Sequence, residues 1–133
     1  MRNGCHVLVI VRREDLFRSL CDEISLLNSL SSFQPVKSMM LQLGVSTSEK
    51  NIDMAVEKAW QGLGAIDVLV NNVGYRGTVK SPLQYDEEEW NIVINTNMRG
   101  VWLVSKCVSK YMRDVGKKGS IINISSTVSA NNA

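Results

Sequence analysis

Four short segments with strand character recur along the chain, and stretches with helical spacing separate them. The first, Val7-Leu8-Val9-Ile10-Val11, is a continuous, mostly β-branched apolar run, which is typical of a parallel strand covered by helices on both faces. The others are residues 36–45, 66–70 and 120–124. No hairpin signal joins consecutive strands, so right-handed helical crossovers should connect them in parallel. The sequence therefore predicts an α/β fold with a doubly wound parallel sheet.

Two amphipathic helices are predicted between the first three strands. The first covers residues 14–27, where apolar residues recur at near-helical spacing. The second begins after the hydroxyl groups of 46–48, which can cap its amino end, and stops at Gly62 and Gly64, which tolerate positive φ. Its buried stripe should comprise Ile52, Ala55, Val56, Ala59 and Trp60.

A third and unusually long helix is predicted from Asp86 to Asp114. Asp86 and Glu89 fit a capping box of the Asp-x-x-Glu type. Roughly seven helical turns follow at the usual number of residues per turn. The apolar period is continued by Trp90, Val93, Ile94, Val101, Val104, Val108 and Met112. This uninterrupted period predicts one continuous helix.

The composition limits the kind of partner. With 133 residues, of which 44% are hydrophobic, we expect residues 1–133 to form a single globular domain. A net charge of +2 gives no electrostatic footprint for nucleic acid or an anionic membrane, and no apolar run approaches the ~20 residues of a spanning helix. Cys5, Cys21 and Cys107 lack metal-site spacing and read as free thiols in a reducing compartment. We therefore expect a cytoplasmic protein without a metal site.

Polar residues follow two of the predicted strands. Asn71-Asn72-Val73-Gly74 comes after the third strand, and Ser125-Ser126 comes after the fourth. Ligands of doubly wound sheets bind beyond the carboxyl ends of the strands, so both segments are candidate site residues. Each alone is equally compatible with an ordinary turn or a helix cap. A serine-hydrolase site is disfavoured, because His6, the only histidine, lies at the opposite end of a strand.

Residues 66–74, 97–101 and 119–126 form three spaced motifs. They read Ile-Asp-Val-Leu-Val-Asn-Asn-Val-Gly, Asn-Met-Arg-Gly-Val and Gly-Ser-Ile-Ile-Asn-Ile-Ser-Ser. Together and in this order they resemble the short-chain dehydrogenase/reductase family, and the resemblance covers almost the whole chain. It implies a Rossmann-type fold and an oxidoreductase. The stretch from Tyr75 to Lys106 is also similar to plant members described as 3-oxoacyl-carrier-protein-reductase-like.

The resemblance implies roles for residues at the strand ends. Asn72, Val73 and Gly74 would line the cofactor cleft, and Asn72 and Gly74 would also hold the central strands together. Asn97 matches the family's active-site asparagine, which helps to hold a water in a proton relay; the alternative is an asparagine merely tolerated within a helix. Ser126 matches the serine that hydrogen-bonds the substrate carbonyl and the developing oxyanion.

The residues at the end of the first strand predict whether the site would prefer NAD or NADP. An acidic residue there would bind the ribose hydroxyl of NAD, whereas an arginine accommodates the additional phosphate of NADP. Val11 is followed by Arg12 and Arg13, which favours NADP with Arg12 as the main phosphate partner; the alternative is a solvated pair of arginines. After the second strand, Gly44 stands where the family usually has an aspartate next to the adenine, and Val45 beside it is an expected cofactor contact.

Two family motifs are absent from the 133 residues. The glycine-rich phosphate loop should lie about 20 residues before Arg12, and Gly62-Leu63-Gly64 cannot replace it because it precedes a strand. No Tyr-x-x-x-Lys follows Ser126, and the loss of a general acid/base costs ~10²–10⁴-fold in rate. We therefore expect a partial Rossmann-type sheet without its first strand and without the elements after the fourth strand present, and no useful reductase activity from this chain by itself.

Three hypotheses remain open. The first is a truncated NADP-dependent short-chain oxidoreductase whose full form reduces a small carbonyl substrate by hydride transfer, as a dimer or tetramer. The second is a non-catalytic interaction protein that forms a homo- or hetero-oligomer with full-length relatives through residues 86–114, which match a helix that the family uses for subunit pairing. The third is a nucleotide-binding remnant that holds NADPH through Arg12 and the cleft at Asn72.

Overall fold

The computed structural model describes residues 5–11, 22–23, 26 and 38–125. Its elements are β1 Val7–Val11, β2 Ser38–Gln42, α1 Glu49–Leu63, β3 Val68–Asn71, a 3-10 turn Pro82–Gln84, α2 Glu87–Ile94, a π-helical segment Asn95–Gly100, α3 Val101–Asp114 and β4 Ser120–Asn123. Most of the helix predicted at 14–27 lies outside the described residues. Because both strand pairs are parallel, the predicted α/β class is confirmed.

Residues 1–44 and 54–65 form one of two compact units. Within it β1 and β2 pair in parallel along their whole length, starting with Val7 opposite Ser38. β2 ends at Gln42, before the predicted end of this strand at residue 45, and residues 36 and 37 of the prediction lie outside the described residues.

The second unit comprises residues 45–53 and 66–133. Within it β3 pairs with β4 in parallel, so that Asn71 lies opposite Asn123 at the carboxyl end of the pair. α3 packs against β3 and provides most of the buried apolar residues of this unit. These are Leu103, Val104, Cys107, Val108 and Met112.

Both strands of this second unit differ slightly from the predicted ranges. β3 begins at Val68 rather than at Ile66, and it includes Asn71, which the prediction placed in the following loop. β4 ends at Asn123, although the N–H of Ile124 still donates to the carbonyl oxygen of Asn71 at 2.9 Å. Pairing between strands that are distant in sequence sets these limits, which is why the apolar pattern alone misplaced them.

α1 agrees with the second predicted helix. The expected stripe is buried at Ile52, Ala55, Val56 and Ala59 and half-buried at Trp60. The Ser48 hydroxyl accepts a hydrogen bond from the N–H of Asn51 at 3.3 Å, as a capping residue does. Gly64, with a φ of +79°, follows the last helical residue and ends the helix as predicted. Gly62 does not end it; Gly62 lies inside the helix, where a Cβ would meet the Met39 side chain.

The helix predicted to run without a break from Asp86 to Asp114 is interrupted. Its middle, Asn95–Gly100, is π-helical and separates α2 from α3. A π turn holds more residues than an α turn, so it rotates the side chains that precede it relative to those that follow. Trp90, which the uninterrupted period placed in the apolar stripe, is consequently 57% exposed.

Asp86 caps α2 as predicted, but Glu89 does not close the capping box. The Asp86 carboxylate accepts a hydrogen bond from the N–H of Glu89 at 2.7 Å. The Glu89 carboxylate instead accepts hydrogen bonds from Thr78 and Lys80, which precede the helix. Partners in the preceding loop therefore replace the local return bond that the sequence predicted.

The π-helical segment packs closely on the turn after β2. A Cβ at Gly100 would lie 2.7 Å from the carbonyl oxygen of Val45, so a larger residue there would force the main chain apart. Arg99 donates to the carbonyl oxygen of Thr47 at 3.1 Å. These contacts hold Val45 beside the π-helical segment.

Two further sequence expectations concern membranes and thiols. None of the helices in the part of the chain that the structure describes is long and apolar enough to cross a membrane. Cys5 is an exposed free thiol and Cys107 a buried one, whereas Cys21 lies outside the described residues.

Candidate functional site

The loop after β3 and the π-helical segment meet at the carboxyl end of β3. Directly after this strand come three exposed residues, Asn72, Val73 and Gly74. The next residue along, Tyr75, contacts Asn97 of the π-helical segment. The structure thus brings together the predicted Asn-Asn-x-Gly loop and Asn97. Arg12, Arg13 and Ser126 lie outside the described residues, and their roles stay predictions.

Asn97 binds the main chain of Tyr75 at two points. Its Oδ1 accepts from the N–H of Tyr75 at 2.7 Å, and its Nδ2 donates to the carbonyl oxygen of Tyr75 at 2.9 Å. Because both ends of the carboxamide are engaged, the Asn97 side chain has one orientation and the loop is fixed immediately after Gly74. One amide N–H and one oxygen lone pair of the Asn97 side chain remain available, and they can hydrogen-bond a water or a ligand.

Asn71, rather than Asn72, ties the elements of this site together. Asn71 is 7% exposed, and its Nδ2 donates to Oδ1 of Asn123 on β4 at 2.8 Å and to Oγ of Ser105 on α3 at 2.9 Å. The Ser105 hydroxyl donates in turn to the carbonyl oxygen of Val101 at 2.8 Å. The role of holding the strands together, predicted for Asn72, is therefore taken by Asn71. Asn72 follows the last residue of β3 and is exposed.

The alternation along β3 contains a signal for this arrangement. Val68 and Val70 are 52% and 53% exposed, whereas Leu69 is half-buried and Asn71 is buried. With a period of two, Asn71 shares the face of Leu69, which is the face that α3 covers. Leu69 and Asn71 share a face in any strand that contains both, but the run Val-Leu-Val does not tell from the sequence which face meets a helix.

A second polar cluster, which the sequence reasoning missed, fixes the loop before α2. Glu89 accepts hydrogen bonds from Oγ1 of Thr78 at 2.7 and 2.9 Å and from Nζ of Lys80 at 2.8 Å. The Lys80 ammonium and then the Thr78 donors lower the pKa of Glu89 to about 2, and the same ion pair raises the pKa of Lys80. Since the pKa is lowered from 4.5, this carboxylate stabilises the fold fully above pH 4.5 and progressively less as the pH falls toward 2.

Two surface grooves lie in the second unit, and neither is lined by Asn97. One, of about 460 Å³, is lined by Ser46, Glu87, Glu88, Asn91, Ile92 and Asn95. The other, of about 740 Å³, contains the ion pair between Lys106 and Glu49 at 2.7 Å and the Cys107 thiol. Burial raises the pKa of Cys107, so the thiol stays protonated at neutral pH and is a poor nucleophile. Neither groove is lined by a predicted site residue that the structure describes.

Parallel strands joined by helices, with polar residues at the carboxyl end of β3, define a doubly wound α/β protein of the Rossmann type. A family model described as short chain dehydrogenase matches residues 1–133. The chain belongs to the short-chain dehydrogenase/reductase family. The resemblance drawn from the three sequence motifs is thereby confirmed.

Similar proteins include reductases of several substrates. The chain is 43% identical over 82 residues to 3-oxoacyl-[acyl-carrier-protein] reductase FabG of Thermotoga maritima, a match covering 62% of this chain and 32% of that protein. It is 43% identical over 81 residues to 5-keto-D-gluconate 5-reductase of Escherichia coli, covering 60% and 31%. A solved actinorhodin polyketide ketoreductase with NADPH is similar with a TM-score of 0.82 at 30% identity, covering 99% of this chain and 48% of that one. The chain thus spans about a third of these curated relatives and about half of the solved structure.

Proposed function

We propose that this chain is part of an NADP-dependent short-chain oxidoreductase that reduces a small carbonyl substrate by hydride transfer. Family membership supports oxidoreductase chemistry with a nicotinamide cofactor. The similar proteins named above are reductases of oxo or keto groups, and one was solved with NADPH. Arg12 and Arg13, at the end of the first strand, favour the phosphorylated cofactor.

The observation that carries this proposal is the two-point bond between Asn97 and the Tyr75 main chain. Carbonyl reduction needs a hydride at carbon and a proton at oxygen, and a bound NADPH would supply the hydride. A carboxamide held in one orientation can keep a water in place for the proton, whereas a mobile one cannot. Ser126 would donate a hydrogen bond to the substrate oxygen as negative charge develops there.

The loop after β3 also fits a bound cofactor. Asn72, Val73 and Gly74 are exposed, and a Cβ at Gly74 would meet nothing within 4 Å. The loop therefore has open space beside its main chain, where a dinucleotide can approach closely. Because Asn97 fixes Tyr75, that surface is formed before any ligand binds.

Replacing Arg12 by alanine tests the proposal. In the protein expressed from the complete reading frame that contains this segment, wild type should oxidise NADPH in the presence of small ketones. Arg12→Ala should raise KM for NADPH at least about tenfold, because charge-assisted bonds to the additional phosphate are lost, and should leave KM for NADH nearly unchanged. The measurement is the initial rate of cofactor oxidation, with Arg13→Ala as the matched and weaker variant.

Two results would contradict the proposal: no ketone-dependent oxidation of either cofactor, or a wild-type preference for NADH that Arg12→Ala leaves unaltered. The 133 residues purified alone contain no Tyr-x-x-x-Lys and should show no turnover. Saturable binding of NADPH to them at micromolar concentration would instead favour the nucleotide-binding hypothesis.

A second role, pairing with a full-length relative, is favoured by exposed apolar residues along the helix. Trp90, Met98 and Trp102 are 57%, 64% and 57% exposed. They lie on α2, in the π-helical segment and on α3, so large exposed apolar side chains occur along all three helical parts. Large aromatic and methionine side chains are enriched in protein interfaces, so this exposed helical surface is suited to a protein partner.

Removing both indoles tests this second role. The double variant Trp90→Ala with Trp102→Ala should weaken co-purification with a full-length relative by at least about tenfold, since each large anchor contributes more than ~1 kcal/mol to a typical interface. Lys110→Ala, at an exposed position of α3, is the control and should bind as wild type does. Equal recovery of the relative with the double variant and with wild type would exclude pairing through these two indoles.

A further inference from the structure

Glu89 is the only charged residue that is buried among those that the structure describes. A buried charge is costly unless close partners compensate for it, so its position calls for a physical reason. α2 itself does not provide one, since Asp86 already caps the amino end of this helix. The partners of Glu89 lie in the loop that connects β3 with α2.

The Glu89 carboxylate binds this loop through both oxygens. Oε1 accepts from the main-chain N–H and from the hydroxyl of Thr78, and Oε2 accepts from the same hydroxyl at 2.9 Å and from Lys80 at 2.8 Å. Gly77 makes the approach possible. It has a φ of +71°, and a Cβ there would lie 2.5 Å from the Tyr85 hydroxyl and 3.1 Å from Oε1 of Glu89.

Thr78 lies three residues after Tyr75, whose main chain Asn97 binds. The loop is therefore held at two points by two side chains, one from α2 and one from the π-helical segment. The two residues between these points are held at both ends, and Gly77 adopts the positive φ that the bend between them requires. Replacing Glu89 should therefore shift the main chain of Tyr75 and weaken its hydrogen bonds to Asn97.

We propose that Glu89 is a positioning residue that sets the loop 75–80 so that Tyr75 presents its N–H and carbonyl oxygen to the Asn97 carboxamide. Its effect on the loop follows from the contacts of this chain alone. Its effect on turnover rests on the proposed reductase function. Glu89 itself touches neither substrate nor cofactor in this scheme.

The effect on the loop is tested by amide hydrogen exchange in the protein that contains this segment. Glu89→Gln keeps the shape of the side chain but removes its charge. Exchange at Thr78 and Tyr75 should become at least about tenfold faster, because charge-assisted hydrogen bonds are lost. Glu88→Gln, at the exposed neighbouring position, is the control and should leave both rates unchanged. An unaltered rate at Tyr75 in Glu89→Gln would overturn the inference.

A double-mutant cycle separates positioning from general stabilisation. In Asn97→Ala the N–H of Tyr75 has already lost its acceptor, so adding Glu89→Gln should change its exchange rate little. Equal effects of Glu89→Gln with and without Asn97 would contradict coupling between the two side chains. If Glu89→Gln fails to fold, Thr78→Val removes the hydroxyl bonds and should give a smaller acceleration at Tyr75.

Steady-state kinetics test the effect of Glu89 on turnover. Glu89→Gln should lower kcat about tenfold and leave KM for NADPH within about twofold, which a general loss of folded protein would not reproduce after correction for the folded fraction. An unchanged kcat in an active protein would overturn the role in turnover. If the wild-type protein oxidises no NADPH, the proposed function fails, and hydrogen exchange still decides whether Glu89 sets the loop.

Discussion

Replacing Asn97 by alanine is expected to lower kcat for ketone reduction by about 10²-fold or more. The variant loses both bonds to Tyr75, at 2.7 and 2.9 Å, and with them the amide that we propose to hold the proton-relay water. Loss of general acid/base assistance typically has an effect of ~10²–10⁴-fold. The decrease in kcat is measured as the steady-state rate of NADPH oxidation by the protein expressed from the complete reading frame.

Asn95→Ala is the matched control for this prediction. Asn95 belongs to the same π-helical segment, but its side chain lines the groove beside α2 instead of meeting Tyr75. Its kcat should stay within about threefold of the wild-type value, as is usual for substitutions away from the reacting groups. If Asn97→Ala and Asn95→Ala reduced kcat equally, the effect would belong to the helix and not to the carboxamide.

Alanine at position 71 is expected to destabilise the protein by about 2 to 3 kcal/mol. Asn71 is buried and donates to Asn123 and Ser105, so the substitution removes two hydrogen bonds and leaves a small cavity beside α3. Each such loss costs about 1 kcal/mol, and more where a buried partner is stranded. Urea unfolding followed by circular dichroism gives the difference in free energy of unfolding.

Asn72→Ala provides the comparison, since Asn72 is adjacent but exposed. Its free energy of unfolding should change by less than about 0.5 kcal/mol. We expect it to weaken NADPH binding instead, because Asn72 is exposed in the loop that we propose to line the cofactor cleft. Equal destabilisation by the two substitutions would contradict the assignment of separate roles to the two asparagines.

Much of the fold could be predicted, because helix caps, helix ends and strand segments have local sequence patterns. The Ser48 and Asp86 caps and the end of α1 at Gly64 follow from residues that interact with near neighbours in sequence. The three motifs also named Asn97 and the loop after β3 as candidate site residues, whereas the contact of Asn97 with Tyr75 came from the structure. Strand ends were less accurate, because each depends on a partner strand elsewhere in the chain.

The break in the long helix shows where local pattern is insufficient. The apolar period through 86–114 is consistent with one α-helix, and no glycine or proline precedes the π-helical segment within it. The segment nevertheless brings Asn97 to Tyr75 and Gly100 to the carbonyl oxygen of Val45. Such contacts between residues far apart in sequence are not encoded in the period of a single helix.

The sequence by itself determined the class of fold and the family, because apolar periodicity and the three motifs are local properties of the chain. Only the tertiary structure decided which asparagine joins the strands, how Asn97 is oriented and why Glu89 is buried. Asn71 hydrogen-bonds Ser105 and Asn123, which lie 34 and 52 residues away in the sequence. Glu89 hydrogen-bonds Thr78, which lies in the preceding loop. The physical reason is that a polar side chain is satisfied by whichever partner the packing brings within hydrogen-bonding distance, and packing is a property of the whole unit.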